Sequence, residues 1–446
     1  MKENQKMILD VNEKPSKGKW FALSFQHVFA MFGATILVPM LTGLPISVAL
    51  FTSGVGTLIY ILCTRAKVPV YLGSSFAYIA VIAAVSGYSE TTPGHYATAL
   101  TGLLSVGLIY AIIAIIIKFI GKAWLETLLP PVVIGPMIAI IGLGLSGVAV
   151  GSSGLAGGTF AQIMTAVVSL GIVVFIALKG KGFFRIIPFL VGIVGGYIFA
   201  SIVGLVDFSG IVSVLKNPGV WIKIPEFMFL GFWEGSANVL GTNITFYQIN
   251  LAAVLTIAPL AFVTAAEHIG DHAVLSKIVG KEFLKDPGLD RTLLGDGLAT
   301  AFAALVGGPA NTTYGENTSV VGMTKVASVW VTGGAAVIAI ILSFVNLFTT
   351  IVASIPAPVM GGISIVLYGF IASNGLRVLF DAKVDMTQTR NLIVVSSMLV
   401  IGLGGSLVTI GTFSLYGMSL AALVGIILNL VLPKAEPVQK SEKETN

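Results

Sequence analysis

The chain has 446 residues, of which 56% are hydrophobic and only 10% are charged. Soluble globular domains carry about 25% charged residues, so this composition excludes a soluble globular protein and indicates a polytopic membrane protein. The formal net charge of +5 does not imply nucleic-acid binding, because the basic residues fall mainly between apolar segments. The single cysteine, Cys63, excludes an internal disulfide.

Apolar segments predict fourteen transmembrane spans. A transmembrane helix needs about 20 mostly apolar residues, and two of the predicted spans, 293–308 and 311–324, are shorter and interrupted by glycine or proline. In chain order the predicted spans lie at 21–42, 45–63, 69–87, 97–117, 130–150, 160–178, 186–206, 248–272, 293–308, 311–324, 327–350, 356–376, 391–410 and 415–432.

Basic residues alternate with these spans. Of the 25 lysines and arginines, 23 fall on the side of the N-terminal tail, and only Lys216 and Lys223 fall on the other side. Because cytoplasmic loops are enriched in basic residues, the tails 1–20 and 433–446 are predicted to be cytoplasmic. The first apolar segment is predicted to be a retained span in the cell inner membrane or plasma membrane, since no small-residue cleavage site follows it.

The two halves of the chain repeat one pattern. Phe76, which ends "PVYLGSSF", follows Gln26 by 50 residues, and Glu316, which ends "PANTTYGE", follows Glu267 by 49 residues. Seven spans in each half require the second half to cross the membrane in the opposite sense. The fold class is therefore an all-α polytopic membrane protein with a 7+7 inverted repeat.

The runs "VYLGSS" and "ANTTYG" interrupt spans 3 and 10. Each follows a proline and is too polar and β-rich to begin a helix, so each is predicted to be a short strand that leads into a half-helix. Irregular backbone at membrane depth is tolerated only where it is buried or lines a cavity. The N-terminus of each half-helix would offer N–H groups and a positive dipole end to a ligand near the bilayer midplane.

Intramembrane carboxylates are costly and indicate function. Glu267 and Asp271 are four residues apart and share a helical face, and His268 and His272 form a parallel pair beside them. A structural role for each carboxylate remains an alternative, and for Asp271 and His272 direct ligand contact and a structural or relay role stay open. Asp296 is predicted to satisfy nearby helix ends. No metal site is expected, because His-x-x-x-His here lacks the glutamate of a helical zinc site.

Five motifs resemble the nucleobase–ascorbate transporter family, and particularly its bacterial uracil permeases: "QHVFAMFGAT", "YLGSSFA", "AEHIG", "NTTYGEN" and "GGISIVLYG". The resemblance runs from Phe25 to Leu432. The family signature that begins at Glu316 and Asn317 is kept, except that Ser319 replaces the usual glycine.

The resemblance implies a core domain from spans 1–4 and 8–11 (21–128 and 248–350) and a gate domain from spans 5–7 and 12–14 (129–247 and 351–432). It implies a transporter and not an enzyme, without a cofactor. The expected activity is proton-coupled uracil symport by alternating access, in a homodimer within the lipid bilayer. The alternatives are a xanthine or other purine permease of the same family and a sulfate-permease-type anion transporter.

The resemblance also implies roles for individual residues. The side chains of Glu267 and Glu316 and the backbones of Phe76 and Gly315 would bind the pyrimidine, and Tyr368 would line the opposing gate surface. The residues implied in proton coupling are Glu267, Asp271, His268 and His272. Two carboxylates argue against an anionic substrate, and glutamate at position 316 favours uracil over purines.

Overall fold

The structure, a computed structural model, describes residues 7–87, 96–182, 184–231, 235–239, 242–411 and 413–433. The α-helices are α1 Lys17–Thr42, α2 Ile46–Cys63, α3 Ile79–Ser86, α4 Tyr96–Ile120, α5 Ala123–Leu128, α6 Pro131–Gly144, α7 Ser146–Ser152, α8 Phe160–Lys179, α9 Pro188–Ile202, α10 Ser209–Lys216, α11 Leu251–Ile257, α12 Leu260–Val279, α13 Leu289–Leu305, α14 Gly315–Thr324, α15 Val329–Phe344, α16 Asn346–Ala353, α17 Ala357–Asp381, α18 Thr389–Leu403 and α19 Gly417–Val431. The strands are β1 Leu72–Ser74, β2 Met228–Leu230, β3 Gly235–Val239, β4 Thr242–Tyr247, β5 Asn311–Thr313, β6 Leu407–Ile410 and β7 Phe413–Tyr416. Shorter helical turns lie at Phe76–Tyr78, Phe184–Ile186, Pro218–Val220 and Leu284–Gly288.

The chain is mostly helical, as the composition predicts. In the described part, six helical segments are long and apolar enough to cross a membrane, and the pair α11–α12, bent by 40°, makes a seventh if it counts as one span. Helices suit such a setting because they satisfy every backbone hydrogen bond within the segment. Several further apolar helices are shorter, from 10 to 17 residues.

The two interrupted helices meet in the middle of the fold. Strand β1 pairs antiparallel with β5, with Leu72 opposite Thr313 and Ser74 opposite Asn311. A 3-10 turn and α3 continue from β1, and α14 continues from β5. The prediction of a short strand followed by a half-helix is therefore confirmed for both runs.

Buried polar contacts fix this crossing between α2 and α13. The Asn311 side-chain amide donates to the carbonyl oxygens of Thr52 (3.0 Å) and Ala299 (3.3 Å). Gly56 makes the approach possible, because a Cβ at this position would collide with the Asn311 amide nitrogen. In addition, the Thr300 hydroxyl donates to the Asn311 carbonyl (2.9 Å). Such bonds supply the partners that strand backbone and polar side chains lack in an apolar interior.

An aromatic ring covers the first strand of the crossing. The Tyr314 hydroxyl, just before α14, donates to the Ser74 carbonyl oxygen at 2.9 Å. A Cβ on Gly73 would collide with the Tyr314 ring, so the strand needs glycine where the ring crosses it. The start of the second half-helix is thus held against the strand of the first.

The N-terminal segment packs onto the ends of two helices near the crossing. The Leu9 amide donates to the Lys325 carbonyl (3.3 Å), and the Ala327 amide donates to the Leu9 carbonyl (2.9 Å). The Lys281 ammonium donates to an Asp10 carboxylate oxygen (2.6 Å), and this hydrogen bond lowers the pKa of Asp10 below its usual value. Residues 7–11 therefore tie the end of α12 to the end of α14.

Two β elements were not predicted, so an all-α fold with only two short strands needs correction. Strands β2, β4 and β3 form a three-stranded sheet, and β6 and β7 form a hairpin. The predicted span 391–410 is wrong at its end, because α18 stops at Leu403 and 407–410 is a strand. Gly404 and Gly405, the latter with a φ of +71°, end the helix.

Candidate functional site

Helix α12 presents two chemically different faces. Glu267 and Asp271 are half-buried and lie one turn apart on one face. His268 and His272, displaced by one residue and about 100° around the axis, are 0% and 1% exposed. The spacing that the sequence analysis identified therefore separates a partly accessible carboxylate face from a dry histidine face.

Asp271 lies beside the beginning of the second half-helix. The Thr313 hydroxyl at the end of β5 donates to Asp271 Oδ2 at 2.8 Å. A Cβ placed on Gly315 would lie 3.9 Å from Asp271 Oδ1. The structure thus brings together α12 and the N-terminus of α14, whose first N–H groups have no partner within the helix. Glu316 is the second residue of α14, and its side chain lies outside the part that the structure describes.

The first half-helix contributes an aromatic contact. Phe76 follows β1, and its ring meets the Tyr368 ring edge to face, with centroids 6.0 Å apart and an interplanar angle of 75°. Both side chains are buried, at 5% and 3% exposed. Tyr368 belongs to α17, so the ring pair joins the crossing to the helix predicted to line the gate.

The histidine face is held by hydrogen bonds to other helices. His268 Nδ1 donates to Asp296 Oδ2 of α13 at 2.9 Å, and both side chains are 0% exposed. His272 Nδ1 lies 2.7 Å from the His268 carbonyl oxygen, which can only accept, so the proton resides on Nδ1. His272 Nε2 then accepts from the Tyr60 hydroxyl of α2. The expectation that Asp296 satisfies helix ends is corrected, because its described partner is a side chain.

These contacts do not form a continuous proton path within the described residues. The two imidazole rings stack with centroids 4.0 Å apart and a tilt of 31°, but no described hydrogen bond links one ring to the other. The His272 Nδ1–H ends on a backbone carbonyl. The pattern orients α12 and gives each ring a fixed tautomer.

Helix α1 also contacts the second half-helix. The Asn317 side chain of α14 lies 3.1 Å from His27 Nδ1, and His27 is 2% exposed. Hydrogen bonding across the bundle was one interpretation of Gln26 and His27, and the structure supports it for His27.

Sequence reasoning did not identify three polar residues around this region. Thr313 binds Asp271, Tyr60 binds His272, and Asn374 of α17 lies near Gly315. A polar residue inside an apolar span was the available signal for Tyr60 and Asn374. Their partners lie in distant spans, and the spacing of residues along one chain does not reveal such pairs.

The comparisons with known proteins agree with the sequence motifs. A family model described as the permease family matches residues 18–411. The uracil permease of Bacillus caldolyticus is 48% identical over 432 residues, which cover 96% of this chain and 95% of that protein. The uracil permease of Bacillus subtilis (strain 168) is 44% identical, with 99% of this chain and 98% of that protein covered. The uracil permease of Escherichia coli (strain K12) is 40% identical, with 95% and 93% covered.

Solved structures share the fold at low sequence identity. The transmembrane domain of the cyanobacterial bicarbonate transporter BicA matches with a TM-score of 0.59 at 15% identity, covering 94% of this chain and 99% of that one. The murine Solute Carrier 26 family member A9 anion transporter matches with a TM-score of 0.66 at 10% identity, covering 94% and 69%. These matches indicate a transporter-like fold for a multi-pass membrane protein.

Proposed function

The chain belongs to the permease family of nucleobase–ascorbate transporters, and we propose that it imports uracil by proton symport and alternating access. Permeases move their substrates without changing them, so the prediction of a transporter and not an enzyme is confirmed. The relatives at 40–48% identity are named uracil permeases, which supports uracil as the substrate.

The proposal rests on the contact between α12 and the two crossed half-helices. Uracil has two ring N–H donors and two carbonyl acceptors. Glu267 and Glu316 would accept from the ring N–H groups, and the free backbone N–H groups at Phe76 and Gly315 would donate to the carbonyls. The Phe76–Tyr368 ring pair would cover a face of the flat heterocycle.

The coupled proton belongs, in this proposal, to Glu267 and Asp271. Residues four apart on a helix lie about 6 Å from each other, and two like charges in a dry site do not both stay ionised. One proton would therefore be held when uracil binds and released with it to the cytoplasm. The relay role expected for His268 and His272 stays a prediction, and their hydrogen bonds favour positioning of α12 instead.

The proposed architecture keeps fourteen spans in a 7+7 inverted repeat, with the core and gate ranges given above and a homodimer in the cytoplasmic membrane. Each predicted span contains an α-helix, and a strand followed by a helix occurs at the corresponding place in both halves. Both termini would be cytoplasmic. Cysteines placed at positions 5 and 440 should react with an impermeant reagent only after the membrane is opened, and labelling in intact cells would contradict this topology.

The alternatives make different demands on the site. A sulfate-permease-type transporter shares the fold but carries anions, which two carboxylates would repel. A purine permease would have to place a larger bicyclic ring against Phe76 and Tyr368. Competition of labelled uracil by xanthine and by sulfate separates these alternatives, and we expect neither to compete at concentrations where unlabelled uracil does.

Uptake of labelled uracil into proteoliposomes tests the function. We expect saturable uptake that an inward proton gradient accelerates and a protonophore abolishes. Liposomes without protein and liposomes with the Glu267→Gln variant are the controls. Saturable uptake that ignores the gradient would remove the coupling, and the absence of saturable uracil uptake would remove the function.

A further inference from the structure

Asn374 is a polar side chain in an apolar helix, and the proposed site does not yet use it. It lies in α17, six residues after Tyr368, and it makes no hydrogen bond within the described part of the chain. Its side chain is exposed, so the amide is open to a ligand.

Asn374 lies next to the second half-helix although its side chain is exposed. Its amide nitrogen approaches Gly315 of α14, and Gly375, the next residue of α17, packs closely against α6. The exposed Asn374 side chain therefore borders a gap between α17 and α14. Ser319 of α14 is also exposed, and its hydroxyl donates to the Gly315 carbonyl at 2.9 Å.

The gap opens at Gly315, the first residue of α14. A Cβ placed on Gly315 would lie 3.9 Å from Asn374 Nδ2 and 3.9 Å from Asp271 Oδ1. One point beside the half-helix is therefore flanked by a donor from α17 and a carboxylate from α12. Glycine leaves this point empty, so a small ligand can approach the backbone there.

We propose that Asn374 is a specificity-determining residue that donates a hydrogen bond from Nδ2 to one carbonyl oxygen of the bound pyrimidine. The inference rests on the proposed function and deepens it, because it adds a gate-side hydrogen bond to a site whose other polar contacts come from α12 and the crossing. Uracil carries two carbonyl acceptors, and both side chains assigned to its polar edge, Glu267 and Glu316, are acceptors when ionised. The carbonyl oxygens therefore take their hydrogen bonds from other groups, and the Asn374 amide would add one from the opposing helix to those of the Phe76 and Gly315 backbones.

The contact also links binding to closure. Without a polar contact to α17, the ligand would touch that helix only through the Tyr368 ring, which would favour one position of α17 less strongly. A hydrogen bond from Asn374 exists only when α17 is near, so the ligand would stabilise the closed arrangement of the two helices.

Three ligands distinguish this contact from a structural role. Uracil, 2-thiouracil and 4-thiouracil have the same ring N–H groups, but each thio analogue replaces one carbonyl oxygen with the weaker acceptor sulfur. We expect Asn374→Leu to weaken uracil binding about 3- to 10-fold, as loss of one neutral hydrogen bond implies. The loss should persist for one thio analogue and fall below twofold for the analogue that lacks the contacted oxygen. Calorimetry on the purified full-length protein measures all six affinities.

Two further variants complete the experiment. Asn374→Asp keeps the size and removes both donors, so it should give the same ligand pattern as Asn374→Leu. Ser373→Ala changes the adjacent exposed polar residue of α17 and should leave all three affinities within twofold. An equal loss for all three ligands, or no loss with uracil, overturns the assignment of Asn374. Failure of the wild-type protein to bind uracil overturns the proposed function itself, so the two failures are distinguishable.

Discussion

The two faces of α12 carry the same number of titratable groups but meet different surroundings. Glu267 and Asp271 are half-buried next to the half-helix crossing, whereas His268 and His272 are buried against α2 and α13. Polar groups one residue apart in a membrane helix can therefore be placed in different environments. Under the proposed function, the carboxylate face would meet the ligand, and the hydrogen bonds of the histidine face to α2 and α13 would hold it in place.

The largest effect is expected when the histidine face loses its hydrogen bond to Asp296. Asp296→Ala leaves the His268 Nδ1–H buried without an acceptor, and a buried donor that loses its partner costs about 1–3 kcal/mol. We expect a large fall in the thermal unfolding midpoint in detergent. Asp290→Ala, in the first turn of the same helix, is the control and should change the midpoint little. Normal stability combined with lost uracil binding would instead assign Asp296 to the ligand face.

On the carboxylate face, Glu267→Gln tests ligand binding directly. The amide keeps the size but presents N–H groups to a ligand N–H, and loss of a charged hydrogen bond costs about 1.5–3 kcal/mol, or roughly 10- to 100-fold in affinity. Glu316→Gln should act in the same way. Both variants should unfold at the wild-type temperature. The control Glu282→Gln changes an exposed glutamate just beyond α12 and should bind normally.

Unchanged uracil affinity in both glutamine variants would remove Glu267 and Glu316 from the binding site. A lower unfolding temperature without a change in affinity would mean that Glu267 stabilises the bundle, as the structural alternative requires. The two measurements together therefore separate a ligand contact from a packing role.

Local sequence predicted the parts of this arrangement that depend on short spacing. A proline followed by polar, β-rich residues predicted the strands at 72–74 and 311–313, and the four-residue interval predicted the shared face of Glu267 and Asp271. The His268–Asp296 and Tyr60–His272 pairs join separate spans, so no spacing identifies them. Hydropathy also missed the end of α18, because an apolar strand such as 407–410 has the same mean hydropathy as a helix.

Asp271→Asn separates the roles of the two residues on the carboxylate face. If Asp271 and Glu267 share the coupled proton, the neutral amide removes the coupling but leaves the Glu267 contact with uracil. We expect affinity within about twofold of wild type, loss of gradient-driven acceleration, and preserved exchange of labelled for unlabelled uracil. Both transport modes are measured in the same vesicles. Thr313→Val, which removes the described hydrogen bond to Asp271 Oδ2, should retain acceleration because the carboxylate remains.

Full gradient-driven accumulation by Asp271→Asn would make Asp271 structural and leave the proton to Glu267 or Glu316. Loss of both accumulation and exchange would instead indicate a direct contact between Asp271 and uracil. The sequence left two interpretations open for Asp271, direct ligand contact and a structural or relay role. These two interpretations thus give different results.

Tyr60→Phe produces the smallest expected effect and decides how the histidine face works. The Tyr60 hydroxyl donates to His272 Nε2, and the opposite ring nitrogen ends on the His268 carbonyl. Among the described residues, no side chain lies beyond His272 Nδ1 to receive a proton that reached Nε2. The Tyr60–His272 hydrogen bond therefore positions the His272 ring and does not carry protons. We therefore expect a loss of about 0.5–1.5 kcal/mol in unfolding free energy and unchanged acceleration by a proton gradient. Tyr71→Phe is the matched control, because it removes another buried hydroxyl. The Tyr71 hydroxyl accepts from the Ser53 hydroxyl at 2.8 Å and makes no described contact with the histidines. Equal destabilisation with normal coupling in both variants supports positioning, whereas slower coupled uptake in Tyr60→Phe alone would restore the relay.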